Sequence, residues 1–370
     1  MPFQTNQIYT IVNDSVSQAL GSTEISVLDA QSLVTTGNIV LNSNDNTESF
    51  LNVLPQRIGR TIFSYRAYYH MLMDMVRSDF EWGAILQKIN VDLVDAIADP
   101  SYDLQNGKTY DQWKVYKPNV YQKLFVSRTP YVYPITVGRK QLKEAFLSES
   151  AMGQFISIVF GSVRNSIELG IENLGRVTLA NFIAESAGTD REIRLLTMYN
   201  AETGSALTPG QAIRNEDFLR YAIEQIKIYS KRLTDMSVKY NAEGKKRFTP
   251  FALQRIRIYS PFQTRLETSV LYSAFHDAYV SLTGYSEMNF FQSEETPDQV
   301  QVTATSGKEV TVQNIVGVMY DHEALGIYQE DEDVLTTPVN ALARYYNTFY
   351  HLKQMWFNDQ SENFLLFTLN

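Results

Sequence analysis

The chain has 370 residues, of which 44% are hydrophobic and 20% charged; it has no cysteine and a formal net charge of −9. This composition excludes general disorder, disulfides and thiolate metal sites, and the acidic balance argues against a protein that binds nucleic acid through clustered lysine and arginine. We find no signal-peptide pattern and no run of about 18 apolar residues, so we expect neither secretion nor a membrane span.

The first 56 residues contain no lysine or arginine and are rich in serine, threonine and asparagine. Short apolar runs, at residues 25–28 and 39–41, interrupt this polar segment. We interpret it as an arm that is either disordered or laid on another surface, and the apolar runs favour the second. Beyond it, apolar residues at steps of three and four predict a helix over residues 57–82.

A long extended segment follows. Its strand-like alternation is weak over residues 85–94 and clear over residues 114–117, 121–126 and 131–137, and the dipeptide Asn106-Gly107 is typical of a hairpin turn. We therefore predict a β-hairpin loop over residues 85–137. A hairpin of this length needs another surface to lie on.

Residues 138–147 predict a short helical turn, and Ser148 is a plausible N-cap for a long helix that reaches Ser186. Apolar residues recur along this stretch at three- and four-residue steps, and Gly188 lies just beyond its end as a helix terminator. At about 1.5 Å per residue the helix is a rod of roughly 55 Å. Such a rod is typical of a scaffold.

The rest of the chain alternates helices and short strands. Asn215 is predicted to cap a helix, and Ser260-Pro261 to open another that ends at Gly284. The predicted strands cover residues 255–259, 300–305, 310–312, 315–320, 341–357 and 364–367. We expect the apolar last strand to be tied into a sheet.

No motif indicates catalysis. His322 stands between Asp321 and Glu323, but adjacent residues do not share a face, so we interpret Asp321 as the cap of a helical turn. The four histidines lack metal-site spacing, and no phosphate-binding loop occurs. The run 245–247 (Lys-Lys-Arg) is interpreted as a solvated loop tip, since no second basic cluster lies near it in sequence. We predict no catalytic, cofactor-binding or metal-binding residue and no enzyme.

The order of these parts, together with two local runs, resembles a known family. Residues 131–137 followed by 141–146 look like the passage between extended loop and spine helix, and residues 316–326 are similar to a late strand with its turn. The resemblance is to the major capsid proteins of tailed bacteriophages, the Hong Kong 97 type of fold.

The resemblance implies an α+β phage-capsid fold with an N-terminal arm, an extended β-hairpin loop, a long spine helix, and peripheral and axial domains. The implied segments are the arm (1–56), a peripheral helix (57–84), the extended loop (85–137), the spine helix and peripheral domain (138–195), the axial domain (196–314) and strands returning to the peripheral domain (315–370).

The implied function is a structural protein that self-assembles, through pentamers and hexamers, into the icosahedral head enclosing double-stranded DNA without binding it specifically. The implied partners are other copies of the chain, a separate scaffolding protein and a portal, with the virion as location and the host cytoplasm as the place of synthesis. Two alternatives stay open: an encapsulin-like compartment, and a carbohydrate-active or sugar-binding protein. The candidate intersubunit contacts are Tyr102, Tyr110, Trp113, Tyr116, Arg139, Lys140 and Lys143.

Overall fold

A computed structural model describes residues 5–21, 26–58, 72–77, 86–91, 93–94, 96–102, 104–109, 111–117, 119–125, 129–268, 285–303 and 309–370. The chain divides into two compact units. Unit 1 comprises Met1–Phe80, Arg128–Gly175 and Ile327–Trp356, and unit 2 comprises Glu81–Ser127, Arg176–Gly326 and Phe357–Asn370. Among the described helices, none combines the length and the apolar character that crossing a membrane requires.

The helices are α1 (Thr5–Leu20), α2 (Ala30–Asn42), α3 (Asn44–Ile58), α4 (Arg139–Ala145), α5 (Glu149–Ser186), α6 (Leu195–Thr203), α7 (Pro209–Ala212), α8 (Glu216–Leu233) and α9 (Ser260–Leu266). The strands are β1 (Val76–Arg77), β2 (Leu86–Val91), β3 (Val120–Phe125), β4 (Thr129–Gly138), β5 (Glu192–Arg194), β6 (Gln254–Tyr259), β7 (Tyr285–Met288), β8 (Val300–Thr303), β9 (Glu309–Val312), β10 (Ile315–Asp321), β11 (Leu325–Thr336), β12 (Tyr345–Asn358) and β13 (Phe364–Thr368).

The described part of the N-terminal segment of unit 1 is helical, so the alternative of a disordered arm is wrong, whereas the favoured alternative, an arm packed on another surface, agrees with its buried apolar side chains. Ile8, Ile11, Val12 and Val16 lie on one face of α1 and are buried in the core of unit 1. Their spacing is that of an amphipathic helix, a signal that the polar composition of the segment obscured.

The predicted helix over residues 57–82 is wrong over residues 72–77, and within the described part only residues 57–58, the end of α3, are α-helical. Helix α3 ends at Ile58, and residues 72–77 form a 3₁₀ turn (Met73–Met75) followed by β1. The remainder of that prediction lies outside the described residues, as does the end of the helix that begins at Ser260.

The sheet of unit 1 has the strand order β1-β11-β12-β4. Strand β4 confirms the alternation seen at residues 131–137, but it pairs antiparallel with β12 over ten positions, from Gly138↔Tyr345 to Thr129↔Gln354. Its inclusion in the hairpin loop was therefore wrong. Alternation of apolar and polar residues indicates that a segment is a strand, but tertiary packing determines which strand it pairs with.

The long helix is confirmed as α5. The backbone N–H of Ala151 donates to the Ser148 hydroxyl at 3.2 Å, as an N-cap requires. Beyond the last helical residue, Gly188 has φ +72°, a left-handed conformation that favours glycine. Residues 149–175 of this helix belong to unit 1 and residues 176–186 to unit 2.

Unit 2 is built on the sheet β5-β13-β10-β6-β7, and α8, capped by Asn215 as predicted, packs on its core. Strand β10 pairs with both β6 and β13. The prediction that all of residues 315–370 return to the peripheral part is therefore corrected: β10 and β13 lie in the same sheet as β6, which had been assigned to the axial domain. The hairpin of β8 and β9 is confirmed.

Candidate assembly interface

The hairpin of unit 2 is formed by β2 and β3, which pair antiparallel from Leu86↔Phe125 to Val91↔Val120. We call residues 86–125 the extended loop. Between the two strands, Asn106-Gly107 forms the predicted turn: Gly107 has φ +84°, and the N–H of Lys108 donates to the carbonyl of Gln105 at 3.2 Å. Residues 114–117 are not a strand, which corrects that prediction.

The extended loop exposes an unusual amount of apolar surface. The exposed fraction is 91% for Tyr102 and 82% for Trp113. The large apolar side chains that the described part of the loop exposes are Ile89, Val91, Leu93, Val94, Ile97, Tyr102, Leu104, Trp113, Val115, Tyr116, Val120, Tyr121 and Leu124. So many exposed apolar side chains in one loop indicate an interaction site, because isolated soluble proteins rarely leave large apolar areas uncovered.

Two lysines hold the base of the loop. Lys88 on β2 and Lys123 on β3 are directly opposite each other in the hairpin. The Nζ of Lys88 lies 2.8 Å from an Asp359 carboxylate oxygen and 2.7 Å from one of Glu362. The Nζ of Lys123 lies 2.7 Å from the other Asp359 oxygen. One buried carboxylate therefore bridges both strands.

Two further carboxylates complete this cluster. Glu323 lies 3.2 Å from the Nζ of Lys88, and Glu243 forms a short hydrogen bond with Lys123. The six residues that we call the ion-pair clamp are Lys88, Lys123, Glu243, Glu323, Asp359 and Glu362. Like charges directly opposite each other destabilise a hairpin, so these carboxylates are needed to offset the repulsion between the two lysines.

The clamp shifts the pKa values of its members. Burial alone would raise the pKa of Asp359, but the Lys88 charge and hydrogen bonds from Lys123, Lys88 and Ser361 lower it to about 2. Burial alone would lower the pKa of Lys88, but the charges of Glu362 and Asp359 raise it. The pKa of Glu362 is raised, chiefly by its burial. Lys88 and Asp359 thus stay charged near neutral pH.

Aromatic contacts support the same end of the loop. The rings of Phe125 and Phe357 lie 4.9 Å apart, and the Nζ of Lys245 lies 3.2 Å above the centre of the Tyr121 ring. The base of the extended loop is thus attached to unit 2 by both charge and packing. Its distal part, from Leu93 to Val115, carries seven of the thirteen exposed apolar side chains given above.

The predicted contact residues fall into two groups. Tyr102, Trp113 and Tyr116 belong to the exposed surface of the extended loop, and Tyr110 lies outside the described residues.

The basic candidates belong to α4 in unit 1. The Arg139 guanidinium donates a hydrogen bond to the carbonyl of Leu41 at 3.1 Å, so it makes a contact within its own subunit. Lys140 is exposed and lies 3.7 Å from Glu144, and Lys143 is exposed. These residues stay predictions as intersubunit contacts.

Sequence reasoning missed the clamp entirely. Its acidic members come from three separate segments that are distant in sequence from both lysines, and none belongs to a recognisable motif. The sequence offered one signal, the strand register of the hairpin. A hairpin that turns near Asn106-Gly107 places Lys88 opposite Lys123, and two facing lysines require carboxylates nearby to offset their repulsion.

In the run Asp321-His322-Glu323, the aspartate has a structural role. Asp321 is buried; one of its carboxylate oxygens accepts from the N–H of Glu323 at 2.8 Å and the other from the Thr249 hydroxyl at 2.7 Å. Asp321 therefore caps a turn, as predicted, but this turn joins β10 to β11 and is not helical. In the described part of the chain, no group of three or more histidine, aspartate or glutamate side chains is placed to hold a metal ion.

Comparison with known proteins decides the family. The model for "Phi29-like phage major capsid protein" matches residues 10–368, nearly the whole chain. The chain belongs to this family. The predictions of a phage major capsid protein and of a structural rather than catalytic class are confirmed by this membership.

A curated relative agrees. The major capsid protein of Bacillus phage GA-1 is 26% identical over 180 residues, which are 48% of this chain and 37% of the relative. The match thus spans little more than a third of that relative's length.

Solved structures confirm the α+β capsid fold. The capsid structure of Staphylococcus phage Andhra contains a chain with TM-score 0.57 and 11% identity, matched over 84% of this chain and 87% of that one. A chain in the structure of the head fiber and inner core protein gp22 of native bacteriophage P68 has TM-score 0.56 and 10% identity, over the same shares. At such low identity these likenesses bear on the fold alone.

Proposed function

We propose that this chain is the subunit that self-assembles into the icosahedral head shell enclosing the double-stranded DNA of a tailed bacteriophage. Family membership supports the class of function. The observation that carries the proposal is the extended loop, whose base is clamped to unit 2 while its distal apolar side chains stay exposed.

The energetics of the loop favour contact with other copies. A two-stranded hairpin is marginally stable in water, and this one has exposed residues on both strands. Covering its apolar side chains with neighbouring subunits stabilises both the loop and the assembly. Obligate interfaces of this kind bury more than about 2,000 Å², and the exposed apolar side chains of the loop can contribute to such an area.

Closed symmetry completes the proposal. Identical contacts repeated around a symmetry axis join subunits into closed rings, here pentamers and hexamers. Contacts between these rings then form a closed shell. The net charge of −9 suits a container that encloses DNA without specific binding, because like charge limits adsorption of the genome to the wall.

The family resemblance extends the proposal to partners and location. A separate scaffolding protein and a portal are the proposed partners, with synthesis and assembly in the host cytoplasm and final location in the virion. The encapsulin-like alternative differs in contents, so copurifying DNA rather than a cargo protein would support the phage head. The sugar-binding alternative is not favoured by the family match.

A loop replacement tests the function. Exchanging residues 102–113 for a glycine-serine linker of equal length removes Tyr102 and Trp113, which are exposed, and leaves the clamp intact. We expect a folded, soluble subunit that does not form closed shells in negative-stain electron microscopy, whereas the unaltered chain does.

The matched control is Leu342→Ser, which removes an exposed apolar side chain of unit 1 (96% exposed) outside the loop. Closed shells from the loop replacement would refute the role of the loop. An unaltered chain that stays a 42 kDa monomer under assembly conditions would refute the proposed function itself.

A further inference from the structure

Unit 2 carries a second exposed apolar surface, in the segment between the end of α8 and the start of β6. Its exposed apolar side chains are Met236, Val238, Phe248, Phe251 and Leu253. Exposed basic side chains stand among them: Lys231, Arg232, Lys239 and Lys246. We call residues 231–255 the basic–apolar patch.

Hydrogen bonds join the parts of this patch. Ser237 and Arg247 exchange two backbone hydrogen bonds of 2.9 Å, and the N–H of Thr249 donates to the carbonyl of Leu233 at 2.6 Å. The side-chain amide of Gln254 donates to the carbonyl of Ser230 at 2.8 Å. The two halves of the segment are therefore held side by side.

The patch opposes the overall charge of the chain. Residues 231–255 include seven lysines and arginines and two acidic residues, in a chain of net charge −9. The interpretation of residues 245–247 as a solvated loop tip holds for Lys246, which is exposed, but not for Lys245, which lies over the Tyr121 ring, or for Arg247, whose Nε lies 3.4 Å from a Glu362 carboxylate oxygen. A basic patch on an acidic protein indicates an acidic partner.

The extended loop has the complementary character. Residues 92–111 contain five aspartates and one lysine. The same stretch exposes Leu93, Val94, Ile97, Tyr102 and Leu104. An acidic, apolar segment and a basic, apolar surface thus occur in one chain, and each is uncovered in the isolated subunit.

We propose that the distal part of the extended loop of one copy docks on the basic–apolar patch of a neighbouring copy. This inference rests on the proposed function, and it names the surface that receives the loop. Within one copy the base of the loop contacts Glu243 and Lys245 of the patch. The distal part of the loop and the apolar face of the patch stay uncovered, because Tyr102, Trp113 and Phe251 are 91%, 82% and 57% exposed. The apolar side chains supply affinity, and the opposite charges select the partner and the register.

A second copy explains the patch better than nucleic acid does. Phosphate neutralisation requires basic side chains alone, whereas this segment also exposes five large apolar side chains. Apolar residues surrounded by charge are the pattern of a protein–protein contact.

Charge exchange tests the docking. Lys231→Glu with Lys239→Glu reverses the patch, and Asp99→Lys with Asp111→Lys reverses the loop. Each pair is expected to lower the fraction of subunits in shells, measured by sedimentation, by about tenfold, because like charges then face each other. Combining all four substitutions restores opposite charges and is expected to restore assembly.

The control changes the same number of charges elsewhere in unit 2. Arg214→Glu with Arg220→Glu alters two exposed arginines near the start of α8, away from the patch, and is expected to assemble as the unaltered chain does. Circular dichroism of every variant separates failed assembly from failed folding.

A photo-crosslinker at position 113 identifies the docking site directly. In shells made from a mixture of isotopically light and heavy subunits, we expect crosslinks from position 113 to peptides within residues 231–255, including light-to-heavy pairs. Crosslinks confined to one copy, to another surface or to DNA would overturn the inference.

Failure of the docking inference can be distinguished from failure of the proposed function. If the unaltered chain forms shells and the patch variant assembles as well as the control, the docking site is wrong and the proposed function stands. If the unaltered chain forms no shells, the proposed function fails and the docking inference fails with it.

Discussion

Replacing Asp359 by asparagine tests whether the ion-pair clamp holds the extended loop. The carboxylate of Asp359 is fully buried and lies 2.7 Å from Lys123 and 2.8 Å from Lys88. Lowering its pKa from 3.8 to about 2 means that the folded protein favours the charged form by about 2 kcal/mol, at about 1.4 kcal/mol per unit. Asparagine keeps the shape and removes this charge, leaving two facing lysines with less compensation.

The loss is expected locally, where the loop meets unit 2. About 2 kcal/mol corresponds to about a 30-fold rise in the population of the detached loop. Hydrogen exchange at neutral pH measures this population through the backbone amides of β2 and β3, which exchange when the hairpin detaches and opens. Amides of β10 and β13, in the central sheet of unit 2, are expected to change little.

Asp190→Asn is the matched control, because Asp190 is exposed in a turn of unit 2. Exchange in β2 and β3 that stays within about twofold of the unaltered chain would refute the reasoning, since 2 kcal/mol is far above that limit. It would mean that the aromatic contacts of Phe125 and Tyr121 hold the loop without the central carboxylate.

Two further predictions follow from the same structure. Folding lowers the pKa of Asp359, so the ionised carboxylate contributes to stability above the usual pKa of 3.8, and this contribution is lost as the pH falls toward about 2. The stability difference between the unaltered chain and Asp359→Asn, measured by thermal unfolding, should therefore shrink between pH 4 and pH 2. A difference that stays constant over this range would contradict the prediction. Gly37→Ala places a methyl group 2.5 Å from the Phe146 side chain and should destabilise the protein by about 1–3 kcal/mol in chemical denaturation. Its control, Gly161→Ala in α5, meets no neighbouring atom within 4 Å and should stabilise by about 0.5–1 kcal/mol; equal effects of the two changes would refute the packing argument.

The long helix shows what could be predicted well. Its apolar residues recur at three- and four-residue steps, Ser148 caps its start and Gly188 follows its end, so all its signals are local. The same holds for the cap of α8 at Asn215 and for the turn at Asn106-Gly107. Such local features can be predicted from the sequence because the residues that form them are close together along the chain.

The strands show where such reasoning stops. Alternation correctly placed strands near residues 131–137, 315–320 and 364–367, but it could not assign them to sheets. Strand β4 pairs with β12 rather than with the hairpin, and β13 lies between β5 and β10. A strand exposes the same backbone donors and acceptors to any partner, so the pairing depends on the whole fold.

The sequence by itself determined the long helix, the hairpin turn, the lack of any catalytic motif, and the family resemblance that the comparisons confirmed. Only the tertiary structure determined which charged side chains lie close enough to form ion pairs. It brought Asp359 and Glu362 to two facing lysines, and it placed Arg247 of the basic run at residues 245–247 beside Glu362. Electrostatic interactions depend on distance in space, and residues far apart in a sequence carry no local sign that folding will bring them together.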